Sequence, residues 1–219
     1  MSTKTFAIIG MGRFGSSVAK ALYEMGYDVM AIDSSEERIQ EHIQYVTYAV
    51  QADSTDEKAM KELGIRNFDT VVIAIGADIQ SSILSTLILK ELGVKNITVK
   101  AQNERHGKVL YKVGADKVVF PERDMGNRVA HNLVSPNVLD FIELAEDYSV
   151  VEIVVGERLD GKSLGELNIR AKYGFNVIAI KRGAEINIAP RAEDMILSDD
   201  ILVVIGENSD LKRFEKEIV

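Results

Sequence analysis

The sequence predicts an α/β chain: a doubly wound parallel sheet, then a crossover helix, then a small α+β domain. Three observations predict it. Over roughly the first 120 residues, short β-branched runs alternate with amphipathic segments, the pattern of a parallel sheet wrapped by helices. The first such run leads directly into a glycine-rich turn that opens a helical pattern. After Phe120 the alternation stops, and from Ser149 onward strand patterns dominate.

Taken in order, the predicted strands of the first part are Thr5–Ile9, Asp28–Ile32, Val46–Val50, Thr70–Ile75, Asn96–Lys100 and Lys117–Phe120. Between them Asp78–Leu92 reads as a helix packed on the sheet, with Ile79, Ile83, Leu84, Leu87 and Ile88 at helical spacing and Asp78 as its cap. Pro121 suits a first helical turn, because its missing N–H is not needed there. Glu122–Val134 then reads as a helix, with Met125, Val129 and Leu133 as a narrow apolar stripe suited to packing on another body. A break at Ser135-Pro136-Asn137 precedes a second short helix to about Ala145. The last part carries strands Val150–Val155, Val177–Ile180, Glu185–Ile188 and Ile201–Ile205, with a hairpin about Arg182-Gly183 and a closing helix Ser209–Ile218. The expected domains are residues 1–120, a crossover helix and linker over 121–147, and a C-terminal domain over 148–219. So small a tail gains core by dimerising.

Bulk properties narrow the function. The chain has 219 residues, 46% hydrophobic and 27% charged, which is ordinary for a globular protein with a real core. Zero cysteines exclude disulfides, thiolate metal sites and cysteine nucleophiles. A net charge of −8, with no basic block longer than two residues, argues against a nucleic-acid partner. No apolar run reaches the roughly 20 residues a membrane span needs, and no leader pattern precedes the first strand. The expectation is a cytoplasmic chain without direct membrane insertion.

Gly10-Met11-Gly12-Arg13-Phe14-Gly15 is the motif that carries chemistry. Gly10 permits a tight turn, Gly12 lets the backbone approach a diphosphate, and Gly15 lets the helix pack closely on the strand. The free N–H groups at that helix start favour phosphate. The second strand ends at Asp33, whose carboxylate can accept from ribose hydroxyls, so strand, glycines, helix, strand and acid stand in the register of a Rossmann-like nucleotide site. Asp33 disfavours a 2′-phosphate but does not separate NAD(H) from ATP or ADP. Arg13 is either a ligand for a terminal phosphate, in its own or a neighbouring subunit, or a solvated surface arginine. Asp53 either lies near the base or caps a helix with Ser54 or Thr55.

Catalytic groups are not evident. No tyrosine has a lysine four residues on, and His42, His106 and His131 fall in separate helical segments, read as surface or interface residues. The alternative functions are a small NAD-dependent oxidoreductase and an NAD(H)-responsive redox sensor. The first lacks a catalytic residue, and a DNA-binding sensor would need a basic module that this acidic chain does not show.

With these residues in place, the chain resembles the cytosolic RCK (regulating conductance of K⁺) subunits of Ktr potassium transporters along essentially its whole length. The motifs are Ile9–Gly15, Gly64-Ile65-Arg66-Asn67-Phe68-Asp69, Val99-Lys100-Ala101-Gln102-Asn103, Gly114-Ala115-Asp116, Pro121-Glu122-Arg123-Asp124-Met125, Ile169-Arg170-Ala171-Lys172-Tyr173-Gly174 and Arg213-Phe214-Glu215. The resemblance implies a homodimer assembling into an octameric ring beneath a membrane-embedded potassium transporter subunit. It implies ATP or ADP held by Gly10, Gly12, Phe14, Gly15 and Asp33, with Arg13 reaching the terminal phosphate across the dimer. It further implies that Glu122 helps place Mg²⁺ or Ca²⁺ there, although a glutamate at that position equally suits the helix dipole alone. In the tail it implies inhibitory cyclic di-AMP held by Arg170, Ala171, Asn176, Val177, Ile178 and Pro190. Those types supply a guanidinium for phosphate, an amide for a base edge or phosphate, and apolar walls for adenine.

Overall fold

The computed structural model describes residues 4–134 and 138–218. The chain forms two compact units that divide between Arg123 and Asp124. In the first, β1 (Thr5–Ile9), α1 (Arg13–Glu24), β2 (Asp28–Asp33), α2 (Glu36–His42), β3 (Tyr48–Gln51), α3 (Glu57–Glu62), β4 (Thr70–Ile73), α4 (Ile79–Glu91), β5 (Ile97–Lys100), α5 (Glu104–Val113) and β6 (Lys117–Val119) alternate in sequence. The strands form one parallel sheet in the order β3-β2-β1-β4-β5-β6. The expected strands are all present, and the order reverses direction between β1 and β4.

Alternation sends successive side chains to opposite faces of this sheet. Ala7, Ile9, Val71, Ile73, Ile97 and Val99 meet Met60 of α3, Leu89 of α4 and Leu110 of α5. Ile8, Val29, Ala31 and Val72 meet Ala19 of α1 and Ile39 of α2 on the other side. Helices on both faces make the sheet doubly wound. Ser35, Asp56, Asp78 and Asn103 each accept from a free backbone N–H at the start of the helix that follows. Such a cap is typically worth about 1 kcal/mol.

Helix α4 corrects the expected stripe. Its inner face is Ser82, Ser85, Thr86 and Leu89, all 0% exposed. Ile83 and Ile88 do pack on the core, whereas Ile79, Leu84 and Leu87 are exposed. Apolar residues lie around most of this helix, so periodicity could not choose a face. The small hydroxyl residues are the ones that fit against the sheet. Ser85 Oγ meets Ser54 Oγ at 2.7 Å, and Thr86 Oγ1 donates to the Ser82 carbonyl at 2.7 Å.

In chain order α6 (Pro121–Val134) follows β6 and crosses the division between the units. Next come β7 (Val138–Ala145), β8 (Tyr148–Val154), β9 (Lys162–Ser163), α7 (Leu164–Leu167), α8 (Ile169–Tyr173), β10 (Asn176–Arg182), β11 (Glu185–Asn187), β12 (Met195–Ile196), β13 (Ile201–Glu207) and α9 (Asn208–Ile218). The break expected at residues 135–137 lies outside the described residues. The helix expected up to Ala145 is instead strand β7, which pairs antiparallel with β8. Pairing with an alternating partner strand outweighed a weak local preference. The hairpin about Arg182-Gly183 is present, with Arg182 opposite Glu185.

This unit's main sheet runs β11-β10-β13-β8-β7, and β9 pairs with β12. Val151, Ile153, Leu202 and Val204 form its inner face, covered by Ile169 and Tyr173 of α8, Leu211 and Phe214 of α9, and Phe175. The rings of Tyr173, Phe175 and Phe214 lie 4.9–5.9 Å apart, two of the three pairs edge-on. Buried Asp200 fixes the far end by accepting from Arg182 Nε and Nη2 at 2.8 and 2.7 Å and from the Leu197 N–H at 2.8 Å. The Arg182 guanidinium, helped by that N–H, holds the Asp200 carboxyl below the usual carboxylate range.

Candidate functional site

A cleft of about 690 Å³ opens in the first unit at the carboxyl ends of the strands, where the sheet order reverses. That is where open α/β sheets bind ligands. Its floor begins with the turn after β1. Gly10 has φ +95°, and a Cβ there would lie 3.1–3.3 Å from the Ala74–Ile75 backbone. Gly15 does not line the cleft. It sits so close to the turn that a Cβ would fall 1.9 Å from the Gly10 carbonyl oxygen. Gly12 differs, because among the described residues nothing lies within 4 Å of a Cβ built there. Gly12 is the N-cap of α1 and supplies no capping side chain, and no acidic residue stands in the first turn. The helix therefore presents uncapped N–H groups beside open space, a cradle suited to an anion.

Asp33 ends β2 at 4% exposure. Its Oδ2 accepts from the Met11 N–H at 2.6 Å and its Oδ1 from the Ser35 N–H at 2.9 Å. Arg38 of α2 places Nη1 3.5 Å from Oδ2. Two oxygens can accept about four hydrogen bonds, so the carboxylate keeps capacity for a ribose hydroxyl. Its backbone bonds also hold the glycine turn against β2, which makes Asp33 structural as well as available.

Gly10, Gly12, Arg13, Phe14, Asp33, Asp53 and Glu122 all line this one cleft. Asp53 caps no helix. Its Oδ1 accepts from the Thr55 N–H and hydroxyl at 2.8 and 2.7 Å, and the cap of α3 is Asp56. Glu122, in the first turn of α6, is paired with Lys100 at 2.5 Å. That bond foremost, with Arg13 a smaller influence, holds the Glu122 carboxyl below the usual range. Among the described residues no three His, Asp or Glu side chains converge on a metal position.

Several cleft residues were not among the expected ligand residues, although Lys100 and Gln102 belong to a motif of the family resemblance. Arg38, Lys100 and Gln102 also line it, and the Gln102 side-chain amide donates to the Gly76 carbonyl. Only the spatial order of the strands brings them to the glycine turn. His106, expected at a surface or interface, is 4% exposed within its own unit. Its Nδ1 accepts from the Gln102 N–H at 3.3 Å, Nε2 has no hydrogen-bond partner among the described residues, and burial holds its pKa below the ordinary value. His42 is exposed, and the side chain of His131 lies outside those described.

In the second unit Arg170 and Ala171 are exposed on α8, and Asn176 and Ile178 are exposed at the start of β10. Val177 and Pro190 are half-buried. The register of β10 against β13 slips between Val177 and Ala179, so Ile178 sits in a bulge. Bulges of this kind re-aim side chains. A cavity of about 270 Å³ in this unit is lined by Ile180, Arg182, Glu185, Ile186, Asn187, Asp194 and Met195, none of them an expected ligand residue. No helix among the described residues is long and apolar enough to cross a membrane.

Comparison with known proteins places this geometry. The TrkA-N domain family matches residues 6–121 and the TrkA-C domain family residues 149–219. The Ktr system potassium uptake protein C of Bacillus subtilis is 57% identical over 216 residues, covering 99% of this chain and 98% of that protein. The Ktr system potassium uptake protein A of the same organism is 49% identical over 217 residues, covering 99% and 98%. Among solved structures the GsuK RCK domain is similar at 25% identity and a TM-score of 0.55, covering 98% of this chain and 46% of that one.

Proposed function

The chain belongs to the family of the Ktr system potassium uptake proteins A and C, with a TrkA-N domain followed by a TrkA-C domain, and on that premise we propose that it is the nucleotide-switched regulatory subunit of a potassium uptake system. In this reading it gates a membrane-embedded transporter subunit from the cytoplasmic side and catalyses nothing. The observation that carries the reading is the cleft, where an uncapped helix start, an open Gly12 and a buried carboxylate stand together.

The cleft residues divide the work by chemistry. The Gly12–Phe14 backbone receives the phosphates of ATP or ADP. Asp33 accepts from the ribose, and Asp53 faces the base end. Arg13 reaches a terminal phosphate, best placed to do so in a neighbouring subunit of a homodimer that builds an octameric ring. ATP and ADP then favour different ring shapes by the difference in that one contact. A coupling of ~1–3 kcal/mol, the usual allosteric range, is a 5–150-fold bias.

Divalent-cation placement is a narrower fit. Hard cations take six or more oxygens, and this chain offers Glu122 with one oxygen already held by Lys100. Glu122 therefore serves as one ligand of a Mg²⁺ or Ca²⁺ whose remaining ligands are phosphate oxygens and water. Such an ion would supply positive charge to the terminal phosphate. In the second unit, exposed Arg170 and Asn176 with the bulged Ile178 form the receiving surface for inhibitory cyclic di-AMP, together with Ala171, Val177 and Pro190.

Calorimetric titration of the purified chain with ATP, ADP, NADH and cyclic di-AMP tests this. Saturable binding of both adenine nucleotides and, independently, of cyclic di-AMP is expected. Binding of NADH alone would replace the switch reading with that of a redox sensor.

A further inference from the structure

We infer that Arg213 and Glu217 of α9 are positioning residues for the cyclic dinucleotide: they clamp α8 so that Arg170 and Ala171 stand where the ligand meets them. The inference deepens the cyclic di-AMP reading and rests on it. Helix α8 has five residues, too few to hold a shape alone. Left-handed residues bound it on both sides, Asn168 at φ 43° and Gly174 at φ 86°, so the local backbone does not fix its direction. Tertiary contacts do. Ile169 and Tyr173, one helical turn apart, are buried in the core of the unit. Further anchors come from α9, where Asp210, Arg213, Phe214 and Glu217 recur at the spacing of one helix face. Phe214 meets Tyr173 edge-on, with ring centroids 4.9 Å apart. Arg213 Nη2 donates to the Lys172 and Tyr173 carbonyls at 3.4 and 3.3 Å, in the last turn of α8, where carbonyls lack partners within the helix. Glu217 Oε2 accepts from the Tyr173 hydroxyl at 2.5 Å and from Lys172 Nζ at 2.8 Å. Asp210 holds Arg213 at 3.0 Å.

The clamp accounts for residues of two motifs that ligand contact leaves without a role. In Ile169-Arg170-Ala171-Lys172-Tyr173-Gly174, Ile169 and Tyr173 face the core, Lys172 and Tyr173 hold α9, and Gly174 makes the turn. A Cβ on Gly174 would lie 2.9 Å from Asp210 Oδ2, so α9 needs the glycine for its close approach. Arg170 and Ala171 are left exposed. In Arg213-Phe214-Glu215 the first two residues supply the α9 side of the clamp. The Lys172 ammonium foremost, with the Tyr173 hydroxyl, holds the Glu217 carboxyl below the usual range, which keeps the acceptor charged. The side chains of Arg213 and Glu217 are 53% and 44% exposed, so each contact adds little to stability. Their effect lies in position. A ligand closing on a loose helix bears the cost of ordering it, whereas one closing on a clamped helix does not.

The test is calorimetry with cyclic di-AMP on the full chain, for the parent, Arg213→Met, Arg213→Lys, Glu217→Gln, Arg170→Ala and the double variant that joins Arg170→Ala to Arg213→Met. Arg213→Met and Glu217→Gln should each weaken cyclic di-AMP by roughly 3- to 30-fold, the coupling usual within one network, and leave ADP affinity unchanged. Arg213→Lys, which still donates to the α8 carbonyls, should recover most of the loss. In the Arg170→Ala background Arg213→Met should cost less than about two-fold more, because Arg213 acts through Arg170. An equal loss in both backgrounds would overturn the inference by leaving Arg213 a merely structural part. So would Arg213→Lys that recovers nothing, or Arg213→Met or Glu217→Gln binding like the parent. A parent that binds no cyclic di-AMP, or Arg170→Ala binding like the parent, would bring down the ligand reading of this surface. A parent sensitive to Arg170→Ala but indifferent to the α9 variants removes only this inference.

Discussion

At the scale of single residues, two glycines of one motif do separate jobs, and substitution tells them apart. Gly15→Ala forces a methyl within 1.9 Å of the Gly10 carbonyl oxygen. It should destabilise the first unit by about 1–3 kcal/mol, seen as a lower Tm. Gly12→Ala meets nothing within 4 Å among the described residues. It should leave Tm nearly unchanged and weaken nucleotide binding, because the methyl occupies the diphosphate's approach. Equal Tm losses would show that Gly12 serves packing instead. Buried His106 gives the first unit a pH dependence. Its pKa lies below the ordinary value because burial disfavours the charged ring. The unfolded chain therefore takes up the proton first, and the stability present above about pH 6.5 is lost as pH falls toward the lowered folded value. His106→Gln should flatten the fall in Tm between about pH 7 and 5; an unaltered slope would assign that fall to other groups.

Among the elements, α4 shows where periodicity stops being informative. Leu84 and Leu87 belong to its predicted stripe yet are exposed, while Leu89 is wholly buried with three hydroxyl residues. Leu89→Ala should cost about 2–5 kcal/mol. Leu84→Gln should stay within about 0.5 kcal/mol of the parent, and a cost near that of Leu89→Ala would restore the stripe reading. The strands of the first unit and the glycine–Asp33 pairing were legible because each rests on short-range spacing that packing has no reason to override. Strand β7 was not, because Val138–Ala145 lacks strict alternation and owes its form to β8. Short α7 and α8 were missed as well, although the capping box between Ser163 and Glu166 marks the first of them in the sequence. Lys100 and Arg38 escaped as cleft residues because β5 and α2 meet the turn only through strand order.

For the whole molecule, the claim is that phosphate charge in one cleft selects the shape of an assembly acting on a membrane partner. In a chain of net charge −8, Arg13, Arg38 and Lys100 stand around one opening together with the carboxylates of Asp33, Asp53, Asp78 and Glu122, Arg38 being paired with Asp33 and Lys100 with Glu122. The distinction between ATP and ADP then reduces to what Arg13 gains from one further phosphate. The most direct measurement is a paired calorimetric titration of ATP and ADP on the parent and on Arg13→Ala. The account predicts that Arg13→Ala keeps ADP affinity within about two-fold and loses the parent's preference for ATP, one charge-assisted contact having been removed. Equal weakening of both nucleotides, or a parent that does not distinguish them, would contradict it.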